Sequence, residues 1–300
     1  MVNVAYLGMG AIGCTFASQM KNTNYNIQVI CDGERKERYK NNKFSINDID
    51  YVFDYKSLDE FEESPDLLII SVKYHDLREA IKGIDKIIDK DTIVISLLNG
   101  IDSEEIIAEQ IGEDNLLYSF VYSTDATKVG KTFYYKNNGI IFFGEKSGEI
   151  TEKAKRLKKI FEDNDIRHDM STNIIRDMWF KYMINIGFNQ PSAVLGAPYG
   201  VFRNNQNIRE IGTKAMLEVV TLANKLGIDL SMQDIQDGFD VVDNFAADGR
   251  TSMLQDVNAK RITEIDMFAG KFCEIAKKHG VPCPVNEMLY HMVKVIEYKY

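Results

Sequence analysis

The segment Gly8-Met9-Gly10-Ala11-Ile12-Gly13 constrains the fold more than any other part of the chain. The apolar run Val4-Ala5-Tyr6-Leu7 precedes it, and a helix-like stretch over residues 14–20 follows. Strand, tight glycine turn and helix are the required context of the dinucleotide-binding pattern G-x-G-x-x-G. Gly8 permits the tight turn, Gly10 keeps a side chain away from a pyrophosphate, and Gly13 lets helix and strand pack closely. The helix N-terminus offers N–H groups and a partial positive charge to phosphates. Residues Gly8, Met9, Gly10, Ala11, Ile12 and Gly13 are therefore candidate cofactor-binding positions. A structural turn without ligand is the competing reading. A second strand, residues 26–30, ends close to Asp32, a further cofactor-binding candidate.

The rest of the first half continues this order. Residues 67–72 (LLIISV) and 92–98 (TIVISLL) are unbroken apolar runs, as expected of parallel strands covered on both faces. Helical spacing occupies residues 74–88 between them. Residues 139–144 and 166–170 read as strands flanking a helix over 152–162. Beyond residue 172 strand signals nearly vanish. Helical patterns cover residues 174–194, 207–226, 253–279 and 286–298, punctuated by Gly227, Gly280 and Pro282. The expected fold is α/β: an N-terminal Rossmann dinucleotide-binding domain, 1–171, and a C-terminal all-helical domain, 172–300.

Bulk properties narrow the partners. A net charge of -9 argues against a nucleic-acid partner, while leaving room for a local positive pocket. No apolar run approaches the roughly 18 residues of a membrane span, and no signal-peptide pattern precedes the first strand. A cytoplasmic protein is expected. Its cysteines, Cys14, Cys31, Cys273 and Cys283, form no C-x-x-C pair and are expected as reduced thiols. Cys14, in the first turn of the phosphate-binding helix, reads either as a packing residue or as a thiol of lowered pKa. His75, His168, His279 and His291 lack metal-ligand spacing, so no metal site is expected.

Chemistry is expected where the two domains meet, at the carboxyl ends of the sheet strands. Lys73 follows one strand and Asn99-Gly100 another, although Asn-Gly is also a common turn. In the second domain Lys181, Asn185 and Asn189 recur every fourth residue, forming one polar stripe among Met183, Ile184, Ile186 and Phe188. The stripe is solvated, internally hydrogen-bonded, or part of a pocket for an anionic substrate. Ser252 with Gln255 fits a capping box, and Glu264 alone fits a surface carboxylate.

The chain resembles the ketopantoate reductase (2-dehydropantoate 2-reductase) family in several blocks. These are Gly8 to Gly13, Val72-Lys73, Leu98-Asn99-Gly100, and Trp179 with Lys181, Asn185 and Asn189. Ser252-Met253-Leu254-Gln255-Asp256 through Arg261, Thr263 and Glu264 follow, and then Val281-Pro282, Pro284, Asn286 and Leu289-Tyr290. The blocks run in family order over nearly the whole length. The resemblance implies NADPH-dependent reduction of 2-dehydropantoate to pantoate, in pantothenate and coenzyme A synthesis. It implies Lys181 as general acid and Glu264 as the catalytic carboxylate meeting the substrate hydroxyl. It further implies Asn185, Asn189 and Ser252 as substrate-binding, Asn99 as contacting substrate or nicotinamide ribose, and Lys73 as lining the cofactor cleft. Two positions depart from the family pattern. Asp32 stands where an Arg usually meets the 2′-phosphate of NADP, and Asp76 where Gln is usual. The family favours NADP(H), Asp32 makes NAD(H) an option, and Arg35 with Lys36 could offset its repulsion of the phosphate.

The expected partner is therefore a small-molecule 2-keto acid, and the helical domain offers apolar faces on which a homodimer could form. Three alternatives stand beside this reading. The first is a paralogous reductase of another branched 2-keto acid. The second is a 3-hydroxy acid or glycerol-3-phosphate type dehydrogenase, which lacks the S-M-L-Q-D…T-E block. The third is a non-catalytic dinucleotide-binding regulatory protein, which would be expected to lose Lys181 or Glu264.

Overall fold

The computed structural model describes residues 1–20, 23–41 and 43–300. The chain divides into two compact units, Met1–Ile174 and Ile175–Tyr300.

The strands of the first unit are β1 (Val2–Leu7), β2 (Tyr25–Ile30), β3 (Phe44–Ile46), β4 (Ile49–Tyr51), β5 (Asp54–Lys56), β6 (Leu67–Ile70), β7 (Ile93–Ser96), β8 (Leu116–Tyr122), β9 (Thr127–Val129), β10 (Thr132–Tyr134), β11 (Ile140–Gly144) and β12 (His168–Met170). Its helices are α1 (Ala11–Ala17), α2 (Gly33–Asn41), α3 (Leu77–Ala80), α4 (Ser103–Ile111) and α5 (Glu152–Glu162). One sheet has the order β12-β11-β8-β7-β6-β1-β2-β5. Its strands from β5 to β8 pair in parallel, and β11 pairs antiparallel with β8. Alternate residues of one strand enter opposite cores, as the two-residue period requires: Val4 and Tyr6 on one face, Ala5 and Leu7 on the other. Both faces are covered, which explains the unbroken apolar runs. A second sheet, β4-β3-β10-β9, packs Phe44 against Phe133 at 6.1 Å between ring centroids.

The register fixes where chemistry can lie. Leu7 of β1 is level with Ile30 of β2 and Ile70 of β6, and Ile70 is level with Ser96 of β7. Four strands thus end on one edge of the sheet, and the chain reverses direction of travel around β1. The expected helix over residues 74–88 is not continuous. The α3 helix has four residues, and short turns at Tyr74–Asp76 and Ile84–Lys86 flank it. Gly83, at φ +83°, breaks the spiral.

The second unit is helical: α6 (Ile174–Leu195, beginning at the boundary), α7 (Tyr199–Asn204), α8 (Gln206–Lys225), α9 (Met232–Asp243), α10 (Ser252–Asn258), α11 (Lys271–Lys278) and α12 (Pro284–Glu297). Pro191 lies inside α6, so the carbonyl of Gly187 cannot receive the usual helical N–H. Helix α8 approaches closely at that point. A Cβ on Gly212 would stand 2.7 Å from the Gly187 carbonyl oxygen, and one on Gly187 would stand 2.4 Å from Met216 Cγ. The expected helix over 253–279 is interrupted. Lys260 at φ +52° ends α10, and the Arg261 N–H turns back onto the Asp256 carbonyl at 2.9 Å. A π-helical turn at Asp266–Gly270 then leads into α11.

Candidate functional site

At the strand edge of the first unit the three fingerprint glycines separate by cause. Gly8 has φ +103°, and a Cβ there would stand 2.7 Å from the main chain of Ser71 and Val72. A Cβ on Gly13 would stand 2.3 Å from the Gly8 carbonyl oxygen. Both must be glycine for the fold. Gly10 is different. Its φ of -80° suits any residue, and an added Cβ would meet nothing closer than the Ser71 carbonyl oxygen at 3.9 Å. Among the described residues nothing excludes a side chain at Gly10, so the fold itself does not require glycine there. The adjoining N-terminus of α1 carries no acidic residue in its first turn, and its leading N–H groups have no helical acceptor. The Met9 side chain is buried in the core, which leaves only its main chain to face this edge. Ser71 was not singled out by sequence: its hydroxyl donates to the Gly8 carbonyl at 2.8 Å and holds the turn.

The other strand ends on this edge carry Asp32, Lys73 and Asn99. Asp32 is exposed directly before α2, and its carbonyl accepts the Lys36 N–H at 3.0 Å. The expected basic pair does not form. Lys36 is 9% exposed and its ammonium is paired with Glu60, while Arg35 is exposed. Lys73 is exposed after β6, and Asn99 is half-buried after β7. Asp76, at the other departing position, is exposed in the turn that follows Lys73.

Beneath the Asn99 loop runs a buried polar chain. The Ser96 hydroxyl donates to Ser103 Oγ at 2.8 Å, and Ser103 donates to Glu104 Oε2 at 2.8 Å. The Leu98 N–H points at Ser96 Oγ at 3.4 Å, and the Ser119 N–H at Glu104 Oε1 at 3.3 Å. Burial pushes the Glu104 carboxyl up to about 8, against the opposing Ser103 hydrogen bond.

In the second unit the structure joins three of the expected substrate residues into one chain of bonds. Asn189 Nδ2 donates to Asn185 Oδ1 at 3.2 Å, and the Ser252 hydroxyl donates to Asn189 Oδ1 at 3.3 Å. The capping alternative for Ser252 does not hold. Thr251 is the N-cap of α10, accepting the Leu254 N–H at 3.2 Å, which places Ser252 in the first turn and turns its hydroxyl towards α6. Lys181, half-buried, precedes Asn185 by one helical turn on the same face.

Glu264 is half-buried at the entrance to the π-helical turn, and its carbonyl accepts the N–H groups of Met267 and Phe268, each at 3.1 Å. The Tyr182 hydroxyl reaches the Phe268 carbonyl, so the residue after Lys181 is bonded to the segment after Glu264. Sequence reasoning missed this tie, and also Gln190, whose Nε2 donates to Asn286 Oδ1 at 2.8 Å. A polar residue beside a Pro inside an apolar helix was the available signal.

The Cys14 thiol is buried, and burial raises its pKa, which favours the packing reading over an activated thiol. Among the described residues no cluster of His, Cys, Asp and Glu could hold a metal ion, and no helix is long and apolar enough to cross a membrane. A depression of about 490 Å³ lined by Ile140, Glu162, Asp165, Ile166, Arg167 and His168 contains none of the expected site residues.

Comparison with known proteins accords with this geometry. Residues 4–148 match the family described as ketopantoate reductase PanE/ApbA, and residues 173–297 match its C-terminal domain. The 2-dehydropantoate 2-reductase of Pyrococcus horikoshii is 25% identical over 298 residues, covering 99% of this chain and 98% of that protein. That of Aquifex aeolicus is 24% identical over 302 residues, covering 97% and 96%. Among solved structures, D-mandelate dehydrogenase with NADH superposes at a TM-score of 0.88 with 23% identity, covering 99% of each chain. The ketopantoate reductase from Ralstonia eutropha superposes at 0.85 with 21% identity, also covering 99% of each. With both halves matched in order, the chain belongs to the ketopantoate reductase PanE/ApbA family of oxidoreductases.

Proposed function

We propose that this NAD(P)H-dependent reductase converts a 2-keto acid to the 2-hydroxy acid, with 2-dehydropantoate as substrate and pantoate as product. The observation that carries the reading is the bonded series Asn185, Asn189 and Ser252, one helical turn from Lys181. A 2-keto acid presents a carboxylate and a carbonyl, which need hydrogen-bond donors and a cation. With Oδ1 of Asn185 and Oδ1 of Asn189 both accepting within the series, Asn185 presents its amide N–H groups to the acid. No carboxylate belongs to the series, so an anion meets no like charge from it.

A bound nicotinamide dinucleotide supplies the hydride. The Lys181 ammonium gives its proton to the substrate carbonyl oxygen and stabilises the negative charge that develops there. An ordinary lysine, with a pKa of about 10.4, already carries that proton at neutral pH. Glu264 accepts the hydrogen bond of the resulting hydroxyl. The full-length match to curated 2-dehydropantoate 2-reductases supports the choice of substrate. Asp32 supports NADH as the preferred donor, because its carboxylate suits a ribose 2′-hydroxyl and repels a 2′-phosphate. The Lys36–Glu60 pair removes half of the basic compensation.

The test is steady-state oxidation of NADH and NADPH by the purified protein with 2-dehydropantoate and a panel of other branched 2-keto acids. Highest kcat/KM for 2-dehydropantoate with NADH, and pantoate as the product, is expected. Higher kcat/KM for another acid would replace the substrate, and absence of turnover with every acid would remove the reading.

A further inference from the structure

The segment that carries Glu264 is held in place from α12. Glu297, at the last turn of that helix, is only 8% exposed. Its Oε1 accepts from both the N–H and the hydroxyl of Thr263, each at 2.7 Å. The Thr263 hydroxyl oxygen in turn accepts the Ile265 N–H at 3.2 Å. The second carboxylate oxygen of Glu297 meets Lys294 Nζ at 3.2 Å. Lys294 also donates to Asp266 Oδ2 at 3.1 Å, and the Tyr290 hydroxyl donates to Asp266 Oδ1 at 2.9 Å. Tyr290, Lys294 and Glu297 are spaced i, i+4, i+7 and so lie on one face of α12. They grip the residues on both sides of Glu264.

Burying a carboxylate is a poor way to gain stability, since the desolvation cost offsets much of the pairing. Such a group is better explained by the geometry it imposes. Here it imposes the main-chain path through Thr263, Glu264 and Ile265, at the entrance to the π-helical turn, where regular helix bonding does not set that path.

We propose that Glu297 is a positioning residue for Glu264. By holding both polar groups of Thr263 it sets the direction in which the Glu264 side chain leaves the backbone. This rests on the reading of Glu264 as the carboxylate that meets the substrate hydroxyl.

The test compares wild type, Glu297→Ala, Glu297→Gln, Glu264→Gln and the double variant Glu264→Gln/Glu297→Ala. The readouts are kcat and KM for 2-dehydropantoate at saturating dinucleotide, and the dinucleotide Kd by fluorescence. Glu297→Ala is expected to lower kcat/KM by about ten- to hundredfold, the scale of a buried partner left unpaired. The dinucleotide Kd should stay unchanged. Glu297→Gln, which keeps an acceptor for Thr263, should recover most of the loss. In the Glu264→Gln background the further loss from Glu297→Ala should shrink to about twofold or less, because residues acting through one group are not additive. If Glu297→Ala fails to fold, Thr263→Val replaces it and removes the hydroxyl half of the bond. Wild-type kinetics for the Glu297 and Thr263 variants, or an undiminished loss in the double variant, would overturn the proposal while Glu264→Gln is itself impaired. Wild-type kinetics for Glu264→Gln would overturn the reading beneath it.

Discussion

The hydroxyl of Tyr182 lies 2.7 Å from the carbonyl oxygen of Phe268 and 3.2 Å from that of Met267. Tyr182 follows Lys181 on α6, and the two carbonyls belong to the π-helical turn that follows Glu264. One buried hydroxyl therefore couples the segment of the proposed acid to that of the proposed carboxylate. Tyr182→Phe keeps the ring and removes the bond, while the Phe268 carbonyl keeps the Lys271 N–H, so the cost is about 0.5–1.5 kcal/mol. Thermal unfolding should show that loss, and kcat/KM for the keto acid should fall while dinucleotide affinity holds. A stability change with unaltered kinetics would confine the tie to folding.

Thr251 and Ser252 are adjacent hydroxyls with separate duties, and substitution should separate them. Thr251→Ala removes the N-cap of α10 and its contact with Ser192 Oγ at 3.1 Å. It should cost about 1 kcal/mol or somewhat more. Ser252→Ala is exposed and should stay within about 0.5 kcal/mol of wild type. It should instead raise KM for the keto acid. Chemical denaturation together with steady-state kinetics checks both, and the opposite pattern would return the cap to Ser252.

On the proposed reading, Asp32 governs the choice of dinucleotide. A carboxylate beside a 2′-phosphate, at an effective dielectric near 20 or above, is worth about 1–3 kcal/mol, or roughly ten- to hundredfold in affinity. Asp32→Ala should improve kcat/KM for NADPH by that order and weaken NADH. Loss of NADPH affinity in the variant would show that Asp32 does not face the 2′-position.

Glu104 carries a pH signature. Its carboxyl rises from an ordinary 4.5 to about 8 in the fold, chiefly by burial. The native state therefore holds a proton that the unfolded chain releases, so this group's stabilising effect is complete below about pH 4.5 and lost as pH rises to about 8. Glu104→Gln is neutral throughout. Its melting temperature relative to wild type should climb between these limits and level off above. A constant difference over that range would mean the carboxyl is not held neutral.

Much of this was legible in the sequence, for physical reasons that differ by element. β1, β6 and β7 show as unbroken apolar runs because helices cover both faces of the sheet. The stripe of Lys181, Asn185 and Asn189 shows because polar residues on a buried helix repeat with its period. The strands β3, β4, β5, β9 and β10 have three residues each, too few for a period to register. The break after α10 depends on Lys260 in a left-handed conformation, which a lysine does not advertise. Ser252 with Gln255 fits the S-x-x-Q pattern, but the preceding Thr251, which lacks a Gln or Glu three residues on, takes the cap in the fold. The partners of Lys36, Gln190 and Glu297 lie 24, 96 and 34 residues away. Sequence spacing carries no trace of contacts at such separations.

The central claim is that Lys181 delivers the proton to the keto acid carbonyl. The most direct measurement is kcat of Lys181→Ala with 2-dehydropantoate, taken beside its dinucleotide Kd and its melting temperature. General acid catalysis is typically worth about 10²- to 10⁴-fold, so kcat should fall by that order while binding and folding persist. Turnover near the wild-type rate would contradict the claim and remove Lys181 from the chemistry.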